Sequence, residues 1–278
     1  MVPGALDDLL VIDLAQEIGA YCTKLLADLG ATVVKLEPPG GDPERARDPS
    51  PWDGRSARPG LRFGYLNSAK TLEEVDLETA AGRARLALLL GDADVVVESL
   101  TASAAAAANF DYPSAGTARP TLVWLSLTPF GRTGPYAPYL ADDLVLQAAS
   151  GWMFEGGEPT REPLKTGGEI SHYVTGTWGA LAVVAAWTHV EAGGSGQHVD
   201  LSAMEALQST AGYWALAKSF GASGSPGRTG QGYPLGIMPC ADGYVGINIL
   251  TPAQGRNWTI EPKPRVAQFP AIGEPACA

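Results

Sequence analysis

The sequence predicts an α/β protein built on a parallel sheet. Two short apolar runs, Leu9-Leu10-Val11-Ile12 and Thr32-Val33-Val34-Lys35-Leu36, are rich in branched residues and too short for helices. Between them Ile18, Tyr21, Cys22, Leu25, Leu26 and Leu29 recur at three- and four-residue spacing, and Gly30 stands where a helix ends. The same texture of short buried runs returns at Asp94-Val95-Val96-Val97 and Thr121-Leu122-Val123-Trp124-Leu125. Parallel strands joined through helices need both faces of the sheet covered.

The first unit is therefore a strand ending at Asp13, a helix over Ile18–Leu29 and a second strand over Thr32–Leu36. Ligands of such sheets sit at the carboxyl ends of the strands, which here means the Asp13–Gly19 turn and the Glu37–Arg45 loop. A helix over Arg83–Leu90 precedes the third run, and Pro- and Gly-rich connections lie at Asp48–Gly60 and Thr128–Pro138. The alanine run Ala104–Ala108 is the only low-complexity stretch. After Gly151 the texture changes. Tyr173–Val190 reads as one long apolar helix and Ser202–Phe220 as another, separated by the Gly193–Gly196 turn; uniformly apolar helices of this kind are expected to be buried on all sides. Pro239–Ile247 reads as a turn and a strand.

A chain of 278 residues with 45% hydrophobic residues can bury a large core as one domain or two. Its net charge of -11 argues against nucleic acid or an anionic membrane surface, since both reward positive charge. Three scattered cysteines, Cys22, Cys240 and Cys277, make neither a disulfide framework nor a zinc motif, so a reducing cytoplasm is expected. No basic-then-apolar leader opens the chain, and Ala180–Trp187 is too short to span a bilayer. No HxxxH, HExxH or paired-carboxylate spacing suggests a metal. Gly40-Gly41-Asp42-Pro43 lacks the ending of a phosphate-binding Walker loop, and Gly19 begins no GxGxxG.

The stretch Val11–Arg45 resembles the amino terminus of the family III coenzyme A transferases, and further matches follow in the family's order. They are Phe63-x-x-Leu66-Asn67-x-x-Lys70, Ala93–Glu98, Leu122–Ser126, Phe130-Gly131-Arg132-Thr133-Gly134-Pro135-Tyr136, Gln147–Gly151 and Gly194–Asp200. The resemblance implies a Rossmann-like large domain, acyl-CoA and a carboxylic acid as substrates, and an interlocked homodimer. It also implies a nucleophilic aspartate that attacks the thioester to give a mixed anhydride beside glycine amides that steady the oxyanion.

At the position of that aspartate, just before the long apolar helix, this chain has His172. Three residues earlier Gly167-Gly168-Glu169 offers a carboxylate behind two flexible glycines. His172 and Glu169 are thus both candidates for the catalytic role. Against that role stands a plainer reading, in which His172 packs the helix start and Glu169 favours its amino end. The racemase branch carries a histidine where this chain has Asp142, which disfavours racemisation by that pair. By position, the resemblance assigns CoA binding to Gln16 and Glu17, to Leu66, Asn67 and Lys70, to Glu98, Ser99 and Leu100, and to Arg132. Lys70 and Arg132 are the expected phosphate partners. Pro38 replaces an arginine of the formyl-CoA transferase branch, and Arg45 is its nearest substitute.

His189, near the end of the long helix, is expected to be structural, and His198, beside Asp200, to start a strand or helix. Trp152, Met153, Phe154 and Trp178 hint at an apolar acyl pocket, though such residues more often pack a core. Family character holds up to Thr251–Gln254, which divides the chain into a CoA-binding domain (1–220), the start of a linker and small domain (221–254) and a Pro-rich tail without family character (255–278). On this reading the chain is a shortened or frame-altered member, lacking most of the small domain and return segment, with a disordered tail. Three functions are compatible with it. The first is CoA transfer between an acyl-CoA and a carboxylic acid. The others are a catalytically silent CoA-binding relative or partner subunit, and an acyl-CoA isomerase, racemase or lyase.

Overall fold

The computed structural model describes residues 4–47, 60–101, 105, 110, 112–157, 160–211, 219–221 and 235–248. The expected tail over 255–278, most of the Asp48–Gly60 connection and most of the alanine run lie outside these residues. The chain divides into two compact units, Met1–Met153 with Lys165–Gly212, and Phe154–Leu164 with Tyr213–Ala278.

The first unit holds a six-stranded parallel sheet of β1 (Leu10–Leu14), β2 (Thr32–Glu37), β3 (Thr71–Glu74), β4 (Val95–Glu98), β5 (Val123–Thr128) and β6 (His198–Ser202). Their order is β3-β2-β1-β4-β5-β6, the order of a doubly wound nucleotide-binding sheet. The register pairs Ile12 with Val34 on one side and with Val96 on the other. Strand order reverses between β1 and β4, so a crevice opens where Leu14 and Glu98 end their strands.

Alternate residues of these strands face opposite layers. Val11, Val95, Val97 and Leu125 pack with Cys22 and Leu26 of α1 (Ala20–Asp28) and with Val183 of the long helix, α7 (Ile170–Glu191). Ile12, Val96 and Trp124 pack on the other face with Leu86 of α4 (Ala80–Asp92) and with Phe110, whose ring centroid is 4.3 Å from that of Trp124. Further helices among the described residues include α2 (Glu44–Arg47), α3 (Leu61–Asn67), α5 (Tyr112–Ala118), α6 (Asp143–Ala149) and α8 (Ala203–Ala211).

Contact between α1 and α7 positions the site. It is close because Gly176 lies at the crossing, where an added Cβ would stand 2.8 Å from the Cys22 amide nitrogen. The rings of Tyr21 and Tyr173 meet edge-on at 4.9 Å beside it. The expectation that α7 is buried all round is corrected, because Leu181 is 57% exposed and Trp178 also reaches solvent. Only one side of α7 is needed to cover the sheet and α1, and α8 covers part of the rest.

Both minor histidines are structural in these surroundings. His189 packs under the glycine turn, where an added Cβ on Gly194 would come within 2.3 Å of its Nε2. His198 opens β6, stacks on Tyr112 at 5.3 Å and places Nε2 2.8 Å from Ser126 Oγ. In the second unit, β7 (Leu235–Cys240) and β8 (Gly243–Asn248) form an antiparallel hairpin closed by Ala241-Asp242.

Candidate functional site

A buried ionic network fixes the turn after β1. Asp13 accepts hydrogen bonds from the Ala15 amide at 2.9 Å, from Thr23 Oγ1 at 2.6 Å and from Lys70 Nζ at 3.0 Å. Lys35 Nζ donates to the Ala15 carbonyl at 2.7 Å and pairs with Asp42 at 2.8 Å. Burial alone would raise the Asp13 carboxyl, but Lys70 and Lys35 outweigh it and hold the group below its ordinary value. Burial likewise drives the Cys22 thiol well above the usual thiol range, which leaves it inert. Lys70, the expected phosphate partner, is placed inside this network. Its side chain is 0% exposed, and Asp13, Thr23 and the Ala20 carbonyl take its three donors.

Arg132 is also turned to protein. Its guanidinium donates to Glu98 Oε1, while its amide donates to both Asp200 oxygens. Glu98 is itself buried and accepts from Ser126 Oγ and from the Leu100 amide at 2.8 Å. Leu66 and Asn67 are buried as well, Asn67 donating to the Phe63 carbonyl at 3.0 Å. Arg45 makes a two-pronged pair with Glu37 and lies over the Phe63 ring at 4.3 Å.

The crevice at the β1–β4 reversal is a cavity of about 620 Å³. Leu14, Gln16, Leu36, Pro38 and Leu100 form part of its wall, the carboxylates Glu37, Asp42, Asp76 and Glu78 line it as well, and Arg83 is the cation among its lining residues. The Gln16 amide donates to Ser99 Oγ at 2.8 Å and ties the two strand ends together. Of the residues expected to bind CoA, Gln16 and Leu100 line this cavity, and Ser99 is bonded to Gln16 beside it. Leu66, Asn67, Lys70, Glu98 and Arg132 are not among the residues that line it, and the contacts described above turn them toward protein. Arg83 escaped the sequence reading because a lone arginine on an amphipathic helix reads as surface charge; its Nη1 is anchored on the Leu77 and Glu78 carbonyls at 3.1 and 2.7 Å.

Beside Gln16, a second cluster gathers at the start of α7. Glu17 accepts from Arg47 Nη1 at 2.6 Å, and Arg47 Nη2 reaches Glu169 Oε1 at 2.6 Å. Arg62 holds Glu169 Oε2 and approaches Glu44 Oε2 at 3.3 Å. Both oxygens of Glu169 therefore face guanidinium groups from α2 and α3. Although Glu169 stands at the helix N-cap position, its side chain makes no capping bond. That part falls to Asp143 of α6, which accepts from the Ser171 amide at 3.0 Å and Ser171 Oγ at 2.6 Å, and which Lys165 neutralises at 2.5 Å. Asp142 is the N-cap of α6, accepting from the Val145 amide at 2.9 Å.

His172 lies buried one turn into α7, with Nδ1 3.1 Å from Arg62 Nη2 and 3.1 Å from Glu169 Oε2. A guanidinium only donates, so Nδ1 accepts and the neutral ring carries its proton on Nε2. Burial, reinforced by the Arg62 charge, lowers the imidazole pKa, and Glu169 only partly offsets this. The lone pair an imidazole would use for attack is engaged. Arg47, Arg62 and Glu44 were not singled out from the sequence; their short helices carry no periodicity, and only the neighbouring Phe63 motif pointed to that region. Trp152 packs against Leu146 and Leu207 and donates to Thr166, and Trp178 donates to Thr210, so both support helices.

Comparison with known proteins gives a consistent picture. The model of the family described as CoA-transferase family III matches residues 6–261. The chain is 33% identical over 256 residues to the succinate–glutarate CoA-transferase of Agrobacterium fabrum, an alignment covering 88% of this chain and 63% of that protein. It is 33% identical over 259 residues to the succinyl-CoA:(R)-benzylsuccinate CoA-transferase subunit BbsE of Thauera aromatica, covering 90% of this chain and 61% of the relative. A solved structure of a CAIB/BAIF family protein from Brucella suis matches with a TM-score of 0.79 at 31% identity, over 87% of this chain and 65% of that one. The chain thus spans 61% to 63% of the length of these curated relatives.

Proposed function

The chain belongs to the CoA-transferase family III, and from that premise we propose that it binds coenzyme A at the β1–β4 crevice and moves CoA between an acyl-CoA and a carboxylic acid. The observation that carries this reading is the adjacency of a ligand-sized cavity and a carboxylate cluster. Gln16 lines the cavity, and Glu17, the next residue, is joined through Arg47 to Glu169. Cavities of roughly 300–1,000 Å³ at this topological position suit small ligands. The named relatives act on succinate, glutarate and benzylsuccinate, which makes organic acids the substrate class.

In this mechanism Glu169 is the nucleophile. One carboxylate oxygen attacks the thioester carbon, the C–S bond breaks, and CoA leaves as a thiolate, giving a mixed anhydride on Glu169. The incoming acid's carboxylate then attacks the Glu169 carbonyl carbon and displaces the donor acid as its carboxylate, leaving a new anhydride on Glu169; the CoA thiolate attacks the new acyl carbon, giving the new acyl-CoA and restoring the Glu169 carboxylate. His172 does not attack, because its Nδ1 accepts from Arg62; it orients that arginine. Arg83 is the cation placed to meet a CoA phosphate, anchored through Nη1 with its remaining donors available for charge-assisted bonds. Arg83→Ala should weaken CoA roughly tenfold, a loss of about 1.5 kcal/mol, as read by titration calorimetry.

A second reading, a CoA-binding subunit without turnover, is favoured by the two arginines that occupy both Glu169 oxygens, and one relative is itself named as a subunit. Glu169→Gln separates the two. Loss of acyl exchange with CoA binding retained supports the nucleophile, whereas a parent protein that binds CoA and exchanges nothing supports the silent subunit. A homodimer belongs to the same proposal, supported by the exposed Tyr136, Tyr139, Leu140 and Leu144. So does a cytoplasmic location. Among the described residues no helix is long and apolar enough to cross a membrane.

A further inference from the structure

We propose that Arg47 and Arg62 form a seat for an unreacting carboxylate of the substrate, and that Glu169 fills this seat until a substrate displaces it. This rests on the transferase reading and extends it to a substrate class: acyl groups and acids that carry a second carboxylate. Two guanidinium groups from separate helices converge on one carboxylate, Arg47 Nη2 at 2.6 Å from Oε1 and Arg62 on Oε2. Glu169 is ion-paired through both oxygens, although Oε2 makes no hydrogen bond there, and the two guanidinium charges make it a poor nucleophile while it fills the seat. Glu169 can be nucleophile only after leaving it.

Three features make the exchange feasible. Gly167 and Gly168 precede Glu169, with Gly168 at φ +73°, and an added Cβ on either would meet nothing within 4 Å, so the backbone has room to turn. The Glu169 side chain takes no part in capping α7, so its departure leaves the helix start held by Asp143. The cluster already contains three carboxylates, Glu17, Glu44 and Glu169, around two arginines. Exchanging Glu169 for another carboxylate preserves that charge, and Glu17 and Glu44 stay paired with the two arginines while the exchange takes place. The Arg47 side chain is 42% exposed, which leaves the seat open to a ligand. An ω-carboxylate on the acyl chain therefore does two things. It docks the acyl group and frees the Glu169 oxygen to attack the thioester carbon.

The test compares succinyl-CoA with butyryl-CoA, acyl groups of equal chain length that differ by a terminal carboxylate. In Glu169→Gln protein, where the seat has lost the charge that holds its occupant and acyl transfer to residue 169 is blocked, succinyl-CoA should bind at least tenfold more tightly by titration calorimetry. Adding Arg47→Met should abolish the difference. Equal affinities in Glu169→Gln, or a preference that survives Arg47→Met, would overturn the seat while leaving CoA binding intact. If neither thioester binds to folded protein, the transferase reading fails, and the seat is then judged with free succinate. Succinate should bind Glu169→Gln at least tenfold more tightly than the parent and lose that gain with Arg47→Met, and no gain sinks the proposal. Far-UV circular dichroism checks folding, and Glu169→Ala replaces Glu169→Gln should the latter misfold.

Discussion

Asp13 shows how much one buried side chain can govern. It joins β1, α1 and the start of β3 through Ala15, Thr23 and Lys70, and removing its charge would leave Lys70 buried without its counter-ion. Asp13→Asn is expected to cost about 3–5 kcal/mol in urea denaturation. Its folded pKa lies below the ordinary 3.8, so its contribution is whole above pH 3.8 and is lost as the pH falls through the lowered folded value. His172 has the opposite chemistry and the same sign. Its folded pKa lies below the ordinary 6.5, so the unfolded chain takes up the proton first and stability falls as the pH drops below 6.5. His172→Asn should flatten that part of the urea midpoint's pH dependence between pH 7 and 5.5; an unchanged slope would show that the imidazole titrates alike in the folded and unfolded chain. The sequence marked both residues, yet it could not say what they face. Lys70 keeps the family spacing and reads as a phosphate ligand, but its partner is Asp13, 57 residues away. The clamp on Glu169 was hidden for the same reason, since its arginines come from two short helices.

Elements were legible in proportion to their burial. The runs at β1, β2, β4 and β5 are continuous and branched because both faces are covered, and helix α1 shows its stripe because one side is wet. Edge strand β3, Thr71–Glu74, has two glutamates among its four residues and no apolar run to reveal it. Helices α2 and α3 are too short for a period. The length of α7 was readable, but its burial was not, because an apolar composition does not say how many neighbours a helix has. The α1–α7 crossing is the element contact that sets Glu17 beside Glu169, and Gly176→Ala should force it apart at about 1–3 kcal/mol. Gly64→Ala in α3 is the contrast, since its Cβ would meet nothing within 4 Å and should gain up to roughly 1 kcal/mol of stability. Equal urea midpoints for the two variants would contradict the close crossing.

At the scale of the whole molecule, the strand order creates the crevice in which we propose that CoA binds. The order reverses between β1 and β4, so the turn after one and the turn after the other meet through the Gln16–Ser99 bond beside the cavity. The location of the crevice follows from the topology, while the expectation of CoA contacts at Gln16, Ser99 and Leu100 came from the family resemblance, which did not point to Arg83. If the proposed homodimer forms, sedimentation velocity should give twice the 28.9 kDa of one chain, and a monomer would remove that part of the proposal. The central claim is CoA binding at this crevice, and the direct measurement is calorimetric titration of CoA into the 278-residue chain, with Arg83→Ala alongside. Saturable one-to-one binding that weakens roughly tenfold in Arg83→Ala is the predicted result. A folded protein that gives no binding heat and no thermal shift with CoA, or binds it equally well without Arg83, would contradict the placement.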